Sequence, residues 1–489
     1  MIAYKAFTRS DPGESIAADE HISRVKNLSR IILSTVTAMG ICLLLLLGSS
    51  YIPRSLIQKN SEKSAEYLSE RAPFPILIGD YVNSMQDNYS DTVLCDILYC
   101  IDTSKPFSST IEAKYAQGEM EEAYTGYLGA VKGEKEANRE YGRYWHGSMV
   151  LLRPLMMLMP LSGIRVLFGA ATICIQLLLA AVFLKRGKKA FALCYLLSFL
   201  MIHPWMLFTS LEYSTAFLTA SLASLFVLKK SGRNELWTYR FFVVVGVVTC
   251  FVDFLTTETL TFTLPMLLLL SEGNGDRVLE RNRKRNPCLM EKTGKKHKSS
   301  DGIKLDKNIS YVVKSGICWI LGYLGMFMFK MLLLFMVAGK EVMLSSITEG
   351  LHRVSGEVHS ANISIAPSVS IGSRLSGAIW HNLACFYPTK SGMMESGPVW
   401  LLTVFILIIA FSAVYLLHDR IEWGGFLPMM VLAAVPYLRF LVLSNHAYEH
   451  FFITYRAQMV TVTVFTYFVY ENGIKQLIKM GKRGNEMKT

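Results

Sequence analysis

Ile31–Leu47 reads IILSTVTAMGICLLLLL and Leu401–Leu417 reads LLTVFILIIAFSAVYLL, two stretches without a single charge. A helix needs about 20 mostly apolar residues to cross a bilayer. No lipid-exposed irregular backbone survives there, so each such run reads as a helix. The rest of the chain agrees, with 489 residues of which 52% are hydrophobic and 18% charged, and a mean hydropathy of +0.32. A soluble dehydrogenase and a disordered tail protein are excluded. Nine cysteines without a CxxC or metal-type spacing give neither a zinc site nor a disulfide framework. In water this length would suggest about three domains; one bilayer-embedded domain is expected instead.

Working outward, ten apolar runs are expected to span: 31–51, 162–184, 190–208, 213–228, 239–255, 258–271, 312–338, 398–417, 425–445 and 456–471. The short pair 239–255 and 258–271 meets at Thr256-Thr257 and reads as two half-helices in a protein-lined cavity. Orientation follows from the basic flanks, because short cytoplasmic loops keep the Lys and Arg. Arg24, Lys26 and Arg30, then Lys185 to Lys189, Lys229 to Arg240 and Lys475 to Lys488 all fall on one side, whereas 209–212 and 256–258 carry none. Both termini are therefore expected in the cytoplasm.

The expected organisation is a cytoplasmic N-terminus at 1–30, a first span at 31–51 and a first extracytoplasmic segment at 52–147. A membrane bundle follows at 148–271, then a basic cytoplasmic loop at 272–311 and a span at 312–338. A second extracytoplasmic segment at 339–397, spans over 398–471 with an outer turn at 445–456, and a basic tail at 472–489 complete it. The net charge is +12, and the basic loop has a composition that suits nucleic acid or an anionic leaflet. An orienting loop already needs that composition, so no nucleic-acid partner is expected. No cleavable signal peptide is read, since about 30 polar residues precede the first apolar run.

Four constellations carry candidate chemistry. Asn88-Tyr89-Ser90-Asp91 precedes a helical apolar pattern, so Ser90 or Asp91 reads as an N-cap or Asp91 as a general base, with Asp80 in reserve. Tyr144-Trp145-His146 suits an interfacial aromatic belt, while Arg153 in an apolar helix entrance calls for an anion. Asp253 lies at the end of a short span, where a carboxylate is costly; a cap and a functional role are both open. The turn Asn445 to Arg456 holds His446, Glu449, His450, Tyr455 and Arg456, with the two histidines four apart on one helix face. His446 to His450 also fits H-x-x-E-H, but the tail leaves no soluble fold for a third zinc ligand. Trp380-His381 and Phe386-Tyr387 read as interfacial aromatics or a sugar-stacking surface, and Lys330 and Arg439 as intramembrane cations.

With these residues the chain resembles integral-membrane, lipid-carrier-dependent glycosyltransferases of the GT-C type, and within them Gram-positive membrane proteins. The resemblance rests on the order of Tyr89-Ser90-Asp91, Trp145-His146-Gly147, Leu152-Arg153-Pro154, Asp253-Phe-Leu-Thr256 and Asn445-His446 through Thr454-Tyr455-Arg456. It departs at Glu258, where Pro is expected, and at Arg439, where an aromatic is expected. It implies an all-α polytopic fold of about ten helices and a polyprenyl-phosphate sugar donor. The acceptor would be a cell-wall polymer, glycolipid or surface glycan at the outer face of the cell membrane. It further implies Asp91 or Asp80 as base, and Arg153, Arg456, His446 and His450 toward the donor phosphate. Trp145, His146, Asp253, Glu449 and Tyr455 would support them. A divalent metal is optional in that class. A flippase for a lipid-linked sugar and a non-enzymatic envelope-assembly protein are the competing expectations.

Overall fold

A computed structural model describes residues 12–117, 123–230, 234–253, 255–273, 300–355, 370–390, 397–417, 421, 423–476 and 478. Most of the basic loop at 272–311 and of the tail at 472–489, and parts of the segment at 339–397 expected to be extracytoplasmic, lie outside the described residues. The described chain is helical throughout, with isolated bridges but no strand. The first eleven helices are α1 Pro12–Ser50, α2 Arg54–Ser69, α3 Asn88–Cys100, α4 Pro106–Glu112, α5 Ala123–Lys132, α6 Met149–Met156, α7 Leu161–Lys185, α8 Lys189–Met201, α9 Leu211–Lys229, α10 Glu235–Val252 and α11 Leu260–Ser271. They are followed by α12 Ser300–Ser355, α13 Ile371–Ala384, α14 Gly397–Leu417, α15 Trp423–Val442, α16 Ser444–Glu449, α17 Phe451–Thr454 and α18 Met459–Val469.

Six described helices are long and apolar enough to cross a membrane, within Val25–Ser50, Leu161–Lys185, Leu211–Lys229, Glu235–Val252, Lys307–Leu351 and Gly425–Val442. One expected span is cut short and another is overrun. The run expected at 190–208 stops at Met201 because His203 adopts a left-handed φ of 57° before Pro204, and a residue preceding proline is pushed out of the α region. The run expected at 312–338 belongs instead to α12, 56 residues long and broken at Gly339, whose φ of 86° and ψ of 179° no helix contains. At about 1.5 Å per residue such a rod is far longer than a bilayer core of about 30 Å.

The most extensive helix pair is α10 with α12. A Cβ on Gly246 would stand 2.0 Å from the Trp319 carbonyl oxygen, and one on Gly322 2.1 Å from that of Val243. Only glycine lets two backbones touch in this way, the small-residue contact on which helices in lipid rely.

Between α1 and α7 the chain builds a polar-end layer. The helices α2, α3 and α5 bury Ile57, Leu68, Val93, Leu94, Ile97, Tyr127 and Val131 against one another. The start of α3 differs from expectation. Asp87, not Ser90 or Asp91, is its N-cap, accepting from the Ser90 amide at 2.8 Å and the Ser90 hydroxyl at 2.8 Å. Its other end is capped by arginines: Arg153 donates to the Leu98 carbonyl and Arg54 to that of Tyr99. Those are among the carbonyls a helix leaves unpaired at its C-terminus, where a cation also meets the favourable end of the dipole.

Candidate functional site

Asp91 is wholly buried and closed off by donors. Arg165 Nε reaches it at 2.7 Å, the Leu211 amide donates to both its oxygens at 3.1 Å, and the Ser210 hydroxyl adds a contact at 3.3 Å. Arg165 also donates to Asn88 Oδ1 at 3.0 Å. One carboxylate thus pins α3 to α7 and to the N-terminus of α9. Burial pushes its pKa up, against the pull of the Arg165 charge and the Leu211 amide. Asp80 sits elsewhere, exposed on the Gly79-Asp80 turn, where both residues have left-handed φ.

The two arginines expected at a donor phosphate are also interior ties. Arg153 is fully buried and its three nitrogens all donate to the Ile52 and Leu98 carbonyls. Burial, with the Arg54 charge adding to it, lowers its pKa to about 10. Arg456 is fully buried, donates to the Phe452 and Asn83 carbonyls, and lies 4.1 Å and 4.8 Å from the ring centres of Tyr213 and Tyr455. Tyr455 donates to the Ile202 carbonyl and contacts His203. Trp145 donates to the Met326 carbonyl, with Lys330 over its ring and itself donating to the Ile111 carbonyl. His146, at φ 53°, pairs with the Tyr141 carbonyl, and burial holds its pKa near 3. Trp380 and His381 are buried too, His381 stacking on Tyr448, so they form no exposed sugar platform.

What the structure brings together is a polar track at the same end. The turn between α10 and α11 is buried at Asp253, Thr256, Thr257 and Glu258; α10 is long enough to cross a membrane by itself, so of the expected pair of half-helices only α11 is short. Asp253 accepts from the Thr256 amide and hydroxyl, capping the turn. Glu258 pairs with Arg439 Nε at 2.6 Å, and Arg439 continues to the Leu255 carbonyl and to His446 Nδ1 at 3.1 Å. His446 stacks at 4.6 Å between ring centres on His450, whose Nε2 meets Arg353 at 3.2 Å. An arginine donates to one nitrogen of each ring, so both imidazoles are neutral and keep their N–H on the other nitrogen. Burial, then the neighbouring arginines, depress His450 to about 3.

Beside this track Arg143 lies 3.9 Å over the Tyr141 ring and pairs with Glu349, one turn before Arg353 on α12. Arg143 Nε and Arg439 Nη1 are buried without a partner among the described residues. On the other flank, Asp87, Asp91 and Asp253 are each close enough for their charges to act on Glu212. Burial, with the Asp91 charge adding to it, pushes Asp87 up to about 7.

Arg143, Arg165, Glu212 and Arg353 were not singled out by sequence reading. Arg165 and Glu212 carried a usable signal, a charge in the first turn of an apolar run. Arg143 lay within the quoted aromatic stretch, and Arg353 gave no signal at all. Glu449 is half-buried on α16. Among the described residues no three His, Cys, Asp or Glu side chains are grouped to hold a metal. No family model, no curated protein and no solved structure matches the chain.

Proposed function

We propose that the chain is a membrane glycosyltransferase that moves a sugar from a polyprenyl-phosphate donor to an extracytoplasmic glycan or glycolipid acceptor. One observation carries the reading: a single buried track joins a group of carboxylates to a group of arginines and neutral histidines through the Glu258–Arg439 pair. Sugar transfer from a lipid phosphate needs those two chemistries side by side. A carboxylate accepts the acceptor proton, and cations stabilise the charge that builds on the departing phosphate.

In this reading Arg353, Arg439 and the free N–H groups of His446 and His450 hold the donor phosphate, with Arg143 beside them. Arginine's planar fork suits phosphate oxygens. Arg153 and Arg456 hold the scaffold. The topology belongs to the same proposal: ten crossings in a cell membrane, both termini cytoplasmic, and the track at the outer boundary with the short turns 209–212 and 256–258, which lack Lys and Arg.

The test uses the full chain in proteoliposomes, with benzophenone-tagged polyprenyl phosphate and a panel of radiolabelled hexoses on the same lipid. Cross-links at 349–353 or 439–450 together with sugar leaving the lipid are expected. Movement of intact donor between leaflets without transfer would make the protein a flippase and overturn the reading.

A further inference from the structure

Five carboxylates meet along the track, and four have donors of their own. Asp91 has Arg165, Ser210 and Leu211; Asp87 has Ser90; Asp253 has Thr256; Glu258 has Arg439. Glu212 is the exception. It is 4% exposed, yet no hydrogen bond to its side chain is made by any described residue, and Asp87, Asp91 and Asp253 are its charged neighbours.

A glutamate in the first turn of a helix usually serves the helix itself. Here that task is already done. The Leu211 amide is taken by Asp91 and the Glu212 amide by the Ser210 hydroxyl. A carboxyl group taken out of water with nothing donating to it is costly, and buried polar groups in folded proteins almost always have a partner. The partner of Glu212 is a donor that no described residue supplies, reached through the small part of its surface that stays open.

We infer that Glu212 is the catalytic carboxylate, its missing donor being the hydroxyl of the acceptor sugar. This rests on the transferase reading above. In the step, the acceptor oxygen forms a bond to the anomeric carbon of the donor sugar. The bond from that carbon to the phosphate oxygen breaks, with its electron pair staying on the phosphate. The hydroxyl proton passes to a Glu212 carboxylate oxygen and later to water. Asp91, whose oxygens already accept from three groups, acts as a positioning residue by fixing the start of α9 one residue before Glu212.

The test compares wild type, Glu212→Gln, Glu212→Asp and Glu212→Gly in proteoliposomes, reading melting temperature, cross-linking of benzophenone-tagged polyprenyl phosphate and transfer of labelled hexose. Glu212→Gln is expected to lose at least a hundredfold in kcat with cross-linking and melting temperature unchanged, general-base contributions being roughly 10²–10⁴-fold. Glu212→Asp should lose about tenfold or more, since the carboxylate is kept but withdrawn by one methylene. Added formate should restore part of the transfer in Glu212→Gly, which a structural role would not allow. Transfer by Glu212→Gln within threefold of wild type overturns the assignment and leaves the transferase reading standing. So does a loss of cross-linking and melting temperature that matches the loss of transfer. If Glu212→Gln does not fold, Glu212→Asp with wild-type kcat overturns it equally. Wild-type protein that neither cross-links the lipid phosphate nor transfers sugar removes the reading and the assignment together.

Discussion

The buried and half-buried arginines fall into two sets that look alike in sequence. Arg153, Arg165 and Arg456 are at most 2% exposed and donate to main-chain carbonyls, to Asp91 or to Asn88. Arg143, Arg353 and Arg439 lie among tyrosines and neutral histidines, with Arg143 paired to Glu349 and Arg439 to Glu258; an N–H without a partner among the described residues occurs in both sets, on Arg165 and Arg456 as on Arg143 and Arg439. What differs is the surroundings: the first set is enclosed by main-chain carbonyls, Asp91 and Asn88, whereas the second lies beside neutral imidazoles whose other nitrogen still carries an N–H for an anion. Depth and charge alone do not separate glue from site; the partners do.

Breaking the first set should unfold the protein. Asp91→Asn leaves Arg165 buried without its counter-charge, a change worth about 3–5 kcal/mol of destabilisation, and it should be read as a fall in melting temperature in detergent before any assay of transfer. Arg153→Ala strands the Ile52 and Leu98 carbonyls at roughly 1–3 kcal/mol each. The folded fraction that remains should bind polyprenyl phosphate like wild type. Weakened binding in that fraction would move Arg153 into the second set.

Within the second set Arg353 is the one whose loss should spare the fold, since it is half-buried and faces a neutral histidine, whereas loss of Arg439 would strand the buried Glu258 charge. Arg353→Ala removes one charged hydrogen bond to a ligand, worth about 1.5–3 kcal/mol, so lipid-phosphate affinity should fall roughly tenfold to a hundredfold with little change in melting temperature. Wild-type affinity would erase the distinction between the two sets. The smallest effect is in the pH dependence of stability. His450 is depressed to about 3 in the fold, against about 6.5 unfolded. Between those values the unfolded chain binds the proton, so this histidine's contribution is complete above about pH 6.5 and declines as pH falls. The slope is at most about 1.4 kcal/mol per pH unit. Melting temperatures from pH 7.5 to 5 should therefore fall less steeply in His450→Gln than in wild type.

The helices were legible because hydrocarbon imposes a length and a composition: the run expected at 162–184 is Leu161–Lys185, and that at 398–417 is Gly397–Leu417. The break at Gly339 falls where the expected span ended, at 338, but the return to helix as far as Ser355 was not legible, since the segment read as a loop is made of good helix formers. The candidate site was legible only in outline. Asp253, His446 and His450 do lie on the track. Arg153 and Arg456 were read as phosphate ligands because sequence shows a cation in apolar surroundings but not the carbonyl it faces. The two departures from the resemblance, Glu258 and Arg439, are the most instructive. Each looked like damage alone, and together they are the buried pair at the centre of the track.

The glycine crossing of α10 and α12 sets a dimension. Main chain rests on main chain at Gly246 and Gly322, so no rotamer change can lengthen or shorten that distance. The α10 end carries Asp253, and α12 continues past Gly339 to Glu349 and Arg353. The crossing is therefore a gauge block. It holds the lower stems of the acidic and basic flanks at one spacing, and any adjustment of the gap between them has to come from beyond the gauge, at Gly339.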